Sequence, residues 1–338
     1  MTPTVAAGLV AAVCVGLMGF AIQRGATCTV AAVDEVLNKR RAHRLLAMLE
    51  ASLWVAGGLV LAQLGRLSGS MPDGYPASAW TVIGGALLGL GAWLNRACVF
   101  GAVARLGSGD WAYAATPLGF YAGCLSVRQL FARPAASPLT DASPLFQASA
   151  LIAPLFVGFV LWRLWRLWRL WSALRALPGS GRLRGLRETV WAPHAATVVI
   201  GLSFVITLLL AGRWAYTDVL ADLALAMAGQ PVSAVVPLLP VLLLLALYAG
   251  ALLGGLTAGR WTSTRLSLSQ SVMNLIRCST GGVVMGWGSV LIPGSNDGLI
   301  LIGIPLLLPY AWLAFASMFC AIALAMLISR AVRNEGGR

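Results

Sequence analysis

Charged residues are scarce in this sequence. Of its 338 residues only 10% are charged and 59% are hydrophobic, and the mean hydropathy is +0.83. A soluble globular domain usually carries about 25% charged residues. Too few polar side chains therefore remain to cover a water-facing surface, and the composition excludes an ordinary soluble domain.

The sequence also lacks the side-chain patterns of most cofactor sites. Its two histidines, His43 and His194, are too few and too isolated to suggest paired haem ligands. The cysteines show no CxxC or other metal-binding spacing, and no nucleotide-binding loop is present. We therefore expect no cofactor, no metal site and no disulfide framework from the six cysteines, which are Cys14, Cys28, Cys98, Cys124, Cys278 and Cys320.

Long apolar runs dominate what is present. Roughly 20 apolar residues cross the hydrocarbon core as a helix, and only helices or closed barrels satisfy their backbone hydrogen bonds in lipid. The runs lack the period-two alternation of barrel strands. The sequence therefore predicts an all-α integral membrane protein whose partner is the lipid bilayer. We expect about nine spans, at 4–23, 45–65, 79–95, 111–131, 146–168, 192–212, 233–257, 279–293 and 309–329.

The net charge of +13 comes from basic residues that gather in connecting segments. Clusters at 24–44 and 163–187 flank apolar spans, which indicates cytoplasmic loops and not nucleic-acid binding. Alternating the loops puts the N-terminus outside and the C-terminus in the cytoplasm, which fits a multi-pass protein of the bacterial inner membrane. The first apolar run lacks a basic start and a clear cleavage site, so we interpret it as a retained span.

The segment 161–171 reads LWRLWRLWRLW and allows two interpretations. One is an arginine-rich strip that attracts anions or a partner. The other, which we favour, is a helix end whose indole rings and guanidinium groups anchor at the level of the lipid headgroups.

An internal repeat links the two halves of the chain. Residues Gly84–Gly101 align without a gap on Gly281–Gly298, with five coincident glycines and with Cys98 on Ser295. The expected topology gives the two segments opposite directions across the membrane, which is the signature of inverted repeats around a transport site. Glycine-rich helices also resemble each other simply because small residues permit close packing. We expect a first repeat at 1–131, connecting spans and a basic loop at 132–232, and a second repeat at 233–338.

Polar or helix-breaking residues follow each glycine-rich stretch. They are Asn95–Cys98 in the first repeat and Pro293–Gly298 in the second. Non-helical backbone at membrane depth is tolerated only where it is buried in protein or lines a cavity. Each break therefore predicts two half-helices that meet end to end, and half-helix N-termini favour an anion.

At these residues the sequence resembles the YeeE/YedE family of sulfur-transport proteins. The resemblance implies a helical bundle with inverted pseudo-symmetry and short re-entrant helices. It also implies uptake of thiosulfate, with cysteines along a central path that engage the terminal sulfur of the substrate. The motifs that carry the resemblance are Gly19-Phe…Arg24…Cys28, Gly89-Leu-Gly-Ala-Trp…Arg96-Ala-Cys-Val-Phe-Gly101 and Gly286-Trp-Gly-Ser…Pro-Gly-Ser295-Asn-Asp-Gly298.

By this resemblance Cys28 and Cys98 stand where two of the path cysteines are expected. The third is expected between glycine and asparagine, and here Ser295 follows Gly294 and precedes Asn296. A hydroxyl suits an oxyanion oxygen better than a soft sulfur, so sulfite or another oxyanion remains an alternative substrate. Cys278 is an alternative third thiol, although the repeat alignment does not support it. The predicted path residues are Cys28, Cys98, Ser295, Asn296, Arg24 and Arg96.

Three functions are compatible with these features. We favour a transporter for thiosulfate or a similar small anion. A membrane sulfurtransferase is less favoured because a cysteine nucleophile needs a base within reach, and neither His43 nor His194 lies near the cysteines in sequence. The third is a scaffold that docks a cytoplasmic TusA-like sulfur carrier on its arginine loops. We therefore expect a protein that is not an enzyme.

Overall fold

The computed structural model describes residues 5–67, 74–130, 143–175, 191–227, 238–258, 268–292 and 294–335. Within these ranges the regular structure is entirely helical. A 3₁₀ turn at Trp111–Ala114 precedes α6, and a π-helical turn at Leu299–Gly303 continues α13. The helices are α1 (Val5–Gly25), α2 (Thr29–Lys39), α3 (His43–Leu64), α4 (Ala79–Asn95), α5 (Val99–Gly107), α6 (Ala115–Leu130), α7 (Pro144–Gln147), α8 (Ser149–Arg175), α9 (Pro193–Ala211), α10 (Tyr216–Met227), α11 (Leu238–Thr257), α12 (Leu268–Leu291), α13 (Asn296–Gly298) and α14 (Pro309–Glu335).

Seven helical segments of the described ranges are long and apolar enough to cross a membrane, and an eighth qualifies if the bent pair α12–α13 is one span. The protein is therefore a multi-pass helical membrane protein, as the composition predicts. One of the nine expected spans, 111–131, is not among these segments. It corresponds to the 3₁₀ turn and α6, whose 16 residues are fewer than the ~20 that a span needs. The count of nine stays a prediction.

Helices α4 and α12 pack closely at the centre of the protein through the aligned glycines. A Cβ atom on Gly84 would lie 2.8 Å from the carbonyl oxygen of Gly288, and one on Gly91 would lie 2.7 Å from that of Gly281. Residue numbers rise along one helix as they fall along the other, so the two helices are antiparallel. Only glycine permits backbones to approach this closely.

Helices α4 and α12 each carry a second row of glycines, and a parallel helix packs against each of these rows. Helix α14 lies on α4, where a Cβ on Gly85 would come within 2.5 Å of the Ala314 carbonyl oxygen. Helix α6 lies on α12, where a Cβ on Gly282 would come within 2.4 Å of the Thr116 carbonyl oxygen. The glycines that align between the halves thus make corresponding contacts with corresponding helices.

Helices α1 and α11 cross at a second pair of glycines. A Cβ on Gly250 would lie 1.8 Å from the carbonyl oxygen of Gly16. One turn further along, the Cβ of any larger residue at Gly254 would meet the Phe20 carbonyl oxygen at 3.2 Å. This crossing positions the end of α1, and therefore the break that carries Cys28.

The repeated Trp/Arg segment forms the peripheral helix α8. Its indole rings at Trp162, Trp165 and Trp168 are exposed, and guanidinium groups lie over the first two of these rings. Such exposed aromatic and basic side chains agree with interfacial anchoring. The inner face of α8 is held by an ion-pair cluster in which Glu50 of α3 bonds both Arg163 of α8 and His194 of α9.

Candidate functional site

Three short helices begin where the chain is interrupted. Cys28, Cys98 and Ser295 are the N-cap residues of α2, α5 and α13, and each has extended backbone dihedrals. None of the three side chains caps its own helix.

The break between α4 and α5 is built by local hydrogen bonds. Helix α4 ends because Arg96 adopts a left-handed conformation, with φ 58°. The Asn95 amide Nδ2 then donates to the Ala97 carbonyl at 2.8 Å, and Thr116 Oγ1 of α6 donates to Asn95 Oδ1 at 3.1 Å. Asn95 thereby satisfies the interrupted backbone and directs the chain into Cys98.

The break between α12 and α13 uses glycine. Gly294 has φ +145°, a conformation that favours glycine, and the helix axis bends by 52° across the interruption. The predicted half-helices at both breaks are therefore present.

Cys28 and Cys98 lie in direct contact. Their thiols hydrogen-bond to each other, and the Thr29 backbone N–H donates to Cys98 Sγ at 3.2 Å. A Cβ on Gly101 would come within 2.6 Å of Cys28 Sγ, so the bare glycine face of α5 makes room for the thiol. Gly101 is one of the five glycines that coincide between the two halves, and its role is to leave room for the Cys28 thiol.

Ser295 and Asn296 approach from the second repeat. Thr29 Oγ1 donates to Asn296 Oδ1 at 3.2 Å, which connects the first interruption to the last. Both Ser295 and Asn296 are fully buried, and Ser295 Oγ and Asn296 Nδ2 have no hydrogen-bond partner among the described residues. Buried donors without partners are uncommon and costly. Both donors are therefore available to a hydrogen-bond acceptor.

Asp297 does not face this place. Its carboxylate accepts from the backbone N–H of Thr217 at 3.3 Å and from the Thr217 hydroxyl. The contact lies at the start of α10 and ties that helix to the second interruption. An acidic side chain that accepts from the first turn of a helix stabilises the N-terminus of that helix.

Cys28 and Cys98 stand at the N-termini of α2 and α5, and helix N-termini stabilise negative charge. Among the described residues no group of three or more His, Cys, Asp or Glu side chains forms a metal site. The arrangement suits an anion that is bound weakly and released.

A cavity of about 680 Å³ leads to Cys28 from one end of the bundle. Its lining comes from α2, α3, α4, α5, α12 and α14, with Asp34 as the acidic residue among the described lining residues. Asp34 pairs with Arg330 at 3.7 Å and Glu35 pairs with Arg44 at 3.6 Å, which leaves four lining arginines without an ion pair among the described residues. The arginines of the lining are Arg44, Arg96, Arg105, Arg277, Arg330 and Arg333.

The structure brings most of the predicted path residues together. Cys28, Cys98 and Asn296 are connected through Thr29, Ser295 adjoins Asn296, and Arg96 is exposed on the cavity wall. Arg24 lies elsewhere. Its guanidinium is buried, donates to Thr257 Oγ1 of α11 at 2.8 Å and stands over the ring of Phe20.

Of the remaining cysteines, Cys14, Cys124 and Cys278 are buried, and Cys320 is exposed. Cys124 donates to the Gly286 carbonyl at 3.6 Å between α6 and α12. Cys278, the alternative third thiol, is buried beside Arg277 and Thr116 and does not line the cavity. Cys278 therefore lies within α12, whereas Ser295 lies at the break that follows this helix.

Sequence reasoning did not select Thr29 as a site residue. The available signal was weak: a hydroxyl residue directly after Cys28 in an otherwise apolar stretch. Nor did it place Arg105, Arg277, Arg330 and Arg333 in one cavity. Their meeting depends on tertiary packing.

The protein has interrupted membrane spans, buried donors without hydrogen-bond partners among the described residues, and a cavity lined by arginines. These features are typical of membrane proteins that bind small anions. The profile of the Sulphur transport family matches residues 24–324, which is nearly the whole chain. The chain belongs to this family, the YeeE/YedE sulfur-transport proteins, and its role is in sulfur transport. No curated protein matches the chain.

Proposed function

We propose that this protein takes up thiosulfate or a related sulfur-containing anion across the bacterial inner membrane. In this proposal the N-terminus is outside and the C-terminus cytoplasmic. The path consists of Cys28, Cys98, Asn296 and Ser295, with Arg96 and its neighbours in the cavity at one end. The observation that carries the proposal is the meeting of two thiols with two unpartnered buried donors at three helix N-termini.

The chemistry of the path matches an anion with two unlike ends. Thiosulfate has a soft terminal sulfur and a hard sulfonate group. Thiols are weak donors and weak acceptors that engage soft sulfur without holding it. The hydroxyl of Ser295 and the amide Nδ2 of Asn296 are stronger donors for sulfonate oxygens. Weak successive sites permit both binding and release, which conduction requires.

Movement is part of the proposal, because Cys98, Ser295 and Asn296 are fully buried. Inverted repeats supply a natural mechanism: two halves rock about a central site and expose it to each side in turn. The antiparallel packing of α4 and α12 supports this organisation. So do the matched contacts of Gly85 with Ala314 and Gly282 with Thr116. In both repeats the path residue, Cys98 or Ser295, is the N-cap residue of the helix that follows the break.

An enzymatic role has less support. Of the two histidines, His194 bonds Glu50 on the far side of α3, and His43 is exposed at the start of α3. Neither histidine contacts a path cysteine in the described part of the chain, so a thiol nucleophile would lack the base that activates it. We therefore propose a transporter and not a sulfurtransferase.

Uptake of labelled thiosulfate by proteoliposomes tests the function. We expect saturable uptake that unlabelled sulfite or selenite inhibits less than unlabelled thiosulfate does, because only thiosulfate offers a terminal sulfur to both thiols. Ser295→Cys is expected to raise the preference for thiosulfate over sulfite about threefold to tenfold, the range of one exchanged hydrogen bond.

Three other outcomes are informative. Passage of sulfite alone would mean that Ser295 has redirected the path to oxyanions. Binding of a TusA-like sulfur carrier without uptake would indicate the scaffold. Consumption of thiosulfate by the pure protein in detergent would indicate an enzyme.

A further inference from the structure

Thr29 is a fully buried polar residue at the first position of α2. It makes two contacts that belong to different halves of the protein. Its backbone N–H donates to Cys98 Sγ, and its side-chain hydroxyl donates to Asn296 Oδ1, each at 3.2 Å. The residue is too far inside to interact with lipid or bulk water, so these two contacts account for its polarity.

The contact with Asn296 determines which end of the carboxamide is free. An asparagine side chain offers one acceptor oxygen and one donor nitrogen. Because Thr29 occupies Oδ1, the Nδ2 group is left without a partner in the described part of the chain, although its residue is fully buried. A rotated carboxamide would instead turn its oxygen toward the place where the anion passes. An oxygen acceptor there would repel the sulfonate oxygens.

We propose that Thr29 is a positioning residue that selects for anions, because its hydroxyl holds the Asn296 carboxamide with the Nδ2 donor facing the path. The inference rests on the proposed function for the identity of the path. A hydroxyl also accepts hydrogen bonds, so Thr29 does not forbid the rotated carboxamide by itself. Its contribution is pre-organisation: the donor is in place before the anion arrives, and the anion need not bear the cost of reorienting it.

Thr29 also contacts a thiol, so it connects the path cysteines with the free amide group of Asn296. The Thr29 N–H occupies a lone pair of Cys98 Sγ, and Cys98 in turn hydrogen-bonds Cys28. A substitution of the side chain leaves this backbone contact intact. The hydroxyl can therefore be tested apart from the thiols.

A matched pair of variants isolates the hydroxyl. Thr29→Val keeps the β-branched shape and removes the hydroxyl, whereas Thr29→Ser keeps the hydroxyl and removes a methyl group. We expect Thr29→Val to raise the KM for thiosulfate uptake about threefold to tenfold, the effect of one lost neutral hydrogen bond. The kcat should change less. Thr29→Ser should restore a KM close to that of the unmodified protein.

A double-mutant cycle tests whether Thr29 acts through Asn296. The cycle compares Thr29→Val, Asn296→Ala and the double variant, first by the KM of uptake. If the proposal is correct, Thr29→Val has no further effect once Asn296 is alanine. Additive effects on KM, or a Thr29→Val variant with an unchanged KM, would overturn the proposal.

The midpoint of thermal unfolding without added anion gives a readout that does not depend on transport. Thr29→Val is expected to lower this midpoint in the presence of Asn296 and to lower it less in the Asn296→Ala background. Proteoliposomes that take up no sulfur anion would contradict the proposed function. If the unfolding midpoints of the same variants are still non-additive, the contact between Thr29 and Asn296 is nevertheless supported. If the midpoint effects are additive, the contact itself is wrong.

Discussion

Replacing Cys98 with alanine is expected to lower the initial rate of thiosulfate uptake about tenfold or more, the effect of losing a hydrogen bond to a charged group. Cys98 is fully buried between the Cys28 thiol and the Thr29 N–H, at the start of α5. An alanine there removes one of the two soft contacts of the proposed path. The rate is measured with labelled thiosulfate in proteoliposomes containing equal amounts of each protein.

Cys124→Ala is the matched control for this experiment. Cys124 is also buried and also contacts backbone, yet its sulfur lies between α6 and α12 and away from the breaks. Its uptake rate should stay close to that of the unmodified protein. Equal rates for Cys98→Ala and the unmodified protein would contradict the proposal that the path cysteines bind the substrate. A loss that appeared equally in Cys124→Ala would show that the rate reports packing instead.

Substitution of Gly250 by valine is expected to prevent correct folding. A Cβ at this position would lie 1.8 Å from the Gly16 carbonyl oxygen, and the contact is backbone, which cannot move aside as a side chain does. Overpacking of a tight core costs about 1–3 kcal/mol and sometimes more. Because α1 leads directly into Cys28, separation of α1 from α11 should also disturb the site. The variant should give little protein that elutes as a single species in detergent.

Gly158→Val serves as the comparison for Gly250→Val. Gly158 lies within α8, and a Cβ there would meet nothing within 4 Å. Both changes introduce the same β-branched residue into a helix, so helix propensity cancels. Similar yields and unfolding midpoints for the two variants would contradict the close crossing of α1 and α11.

The interruptions were predictable from the sequence because they are local. Asn95–Cys98 and Pro293–Gly298 bring polar and helix-breaking residues into apolar runs, and the structure has helix breaks at both. The alignment of the glycines was likewise visible in the sequence, and the structure shows that aligned glycines of α4 and α12 make equivalent contacts. These features depend on residue type and spacing, which a single sequence displays.

That the helix breaks lie next to each other was harder to predict from the sequence. Their proximity depends on how glycine-lined helix faces pack between residues that are far apart in the sequence. Nothing local indicates that Thr29 reaches Asn296, which is 267 positions away. Arg24 illustrates the opposite case. Its motif position suggested the path, yet the orientation of the α1 end directs its guanidinium to Thr257 and Phe20. A motif predicts that a residue matters, whereas helix rotation decides which side it faces.

The location of the bound anion tests the central claim most directly. Selenosulfate is thiosulfate with selenium as its terminal atom, so anomalous diffraction from crystals grown with it would locate the soft end. The account predicts a selenium peak in contact with the thiols of Cys28 and Cys98, with the sulfonate oxygens directed to Asn296 Nδ2 and Ser295 Oγ. A peak confined to the arginine-lined cavity, or to any place away from the three helix N-termini, would contradict it.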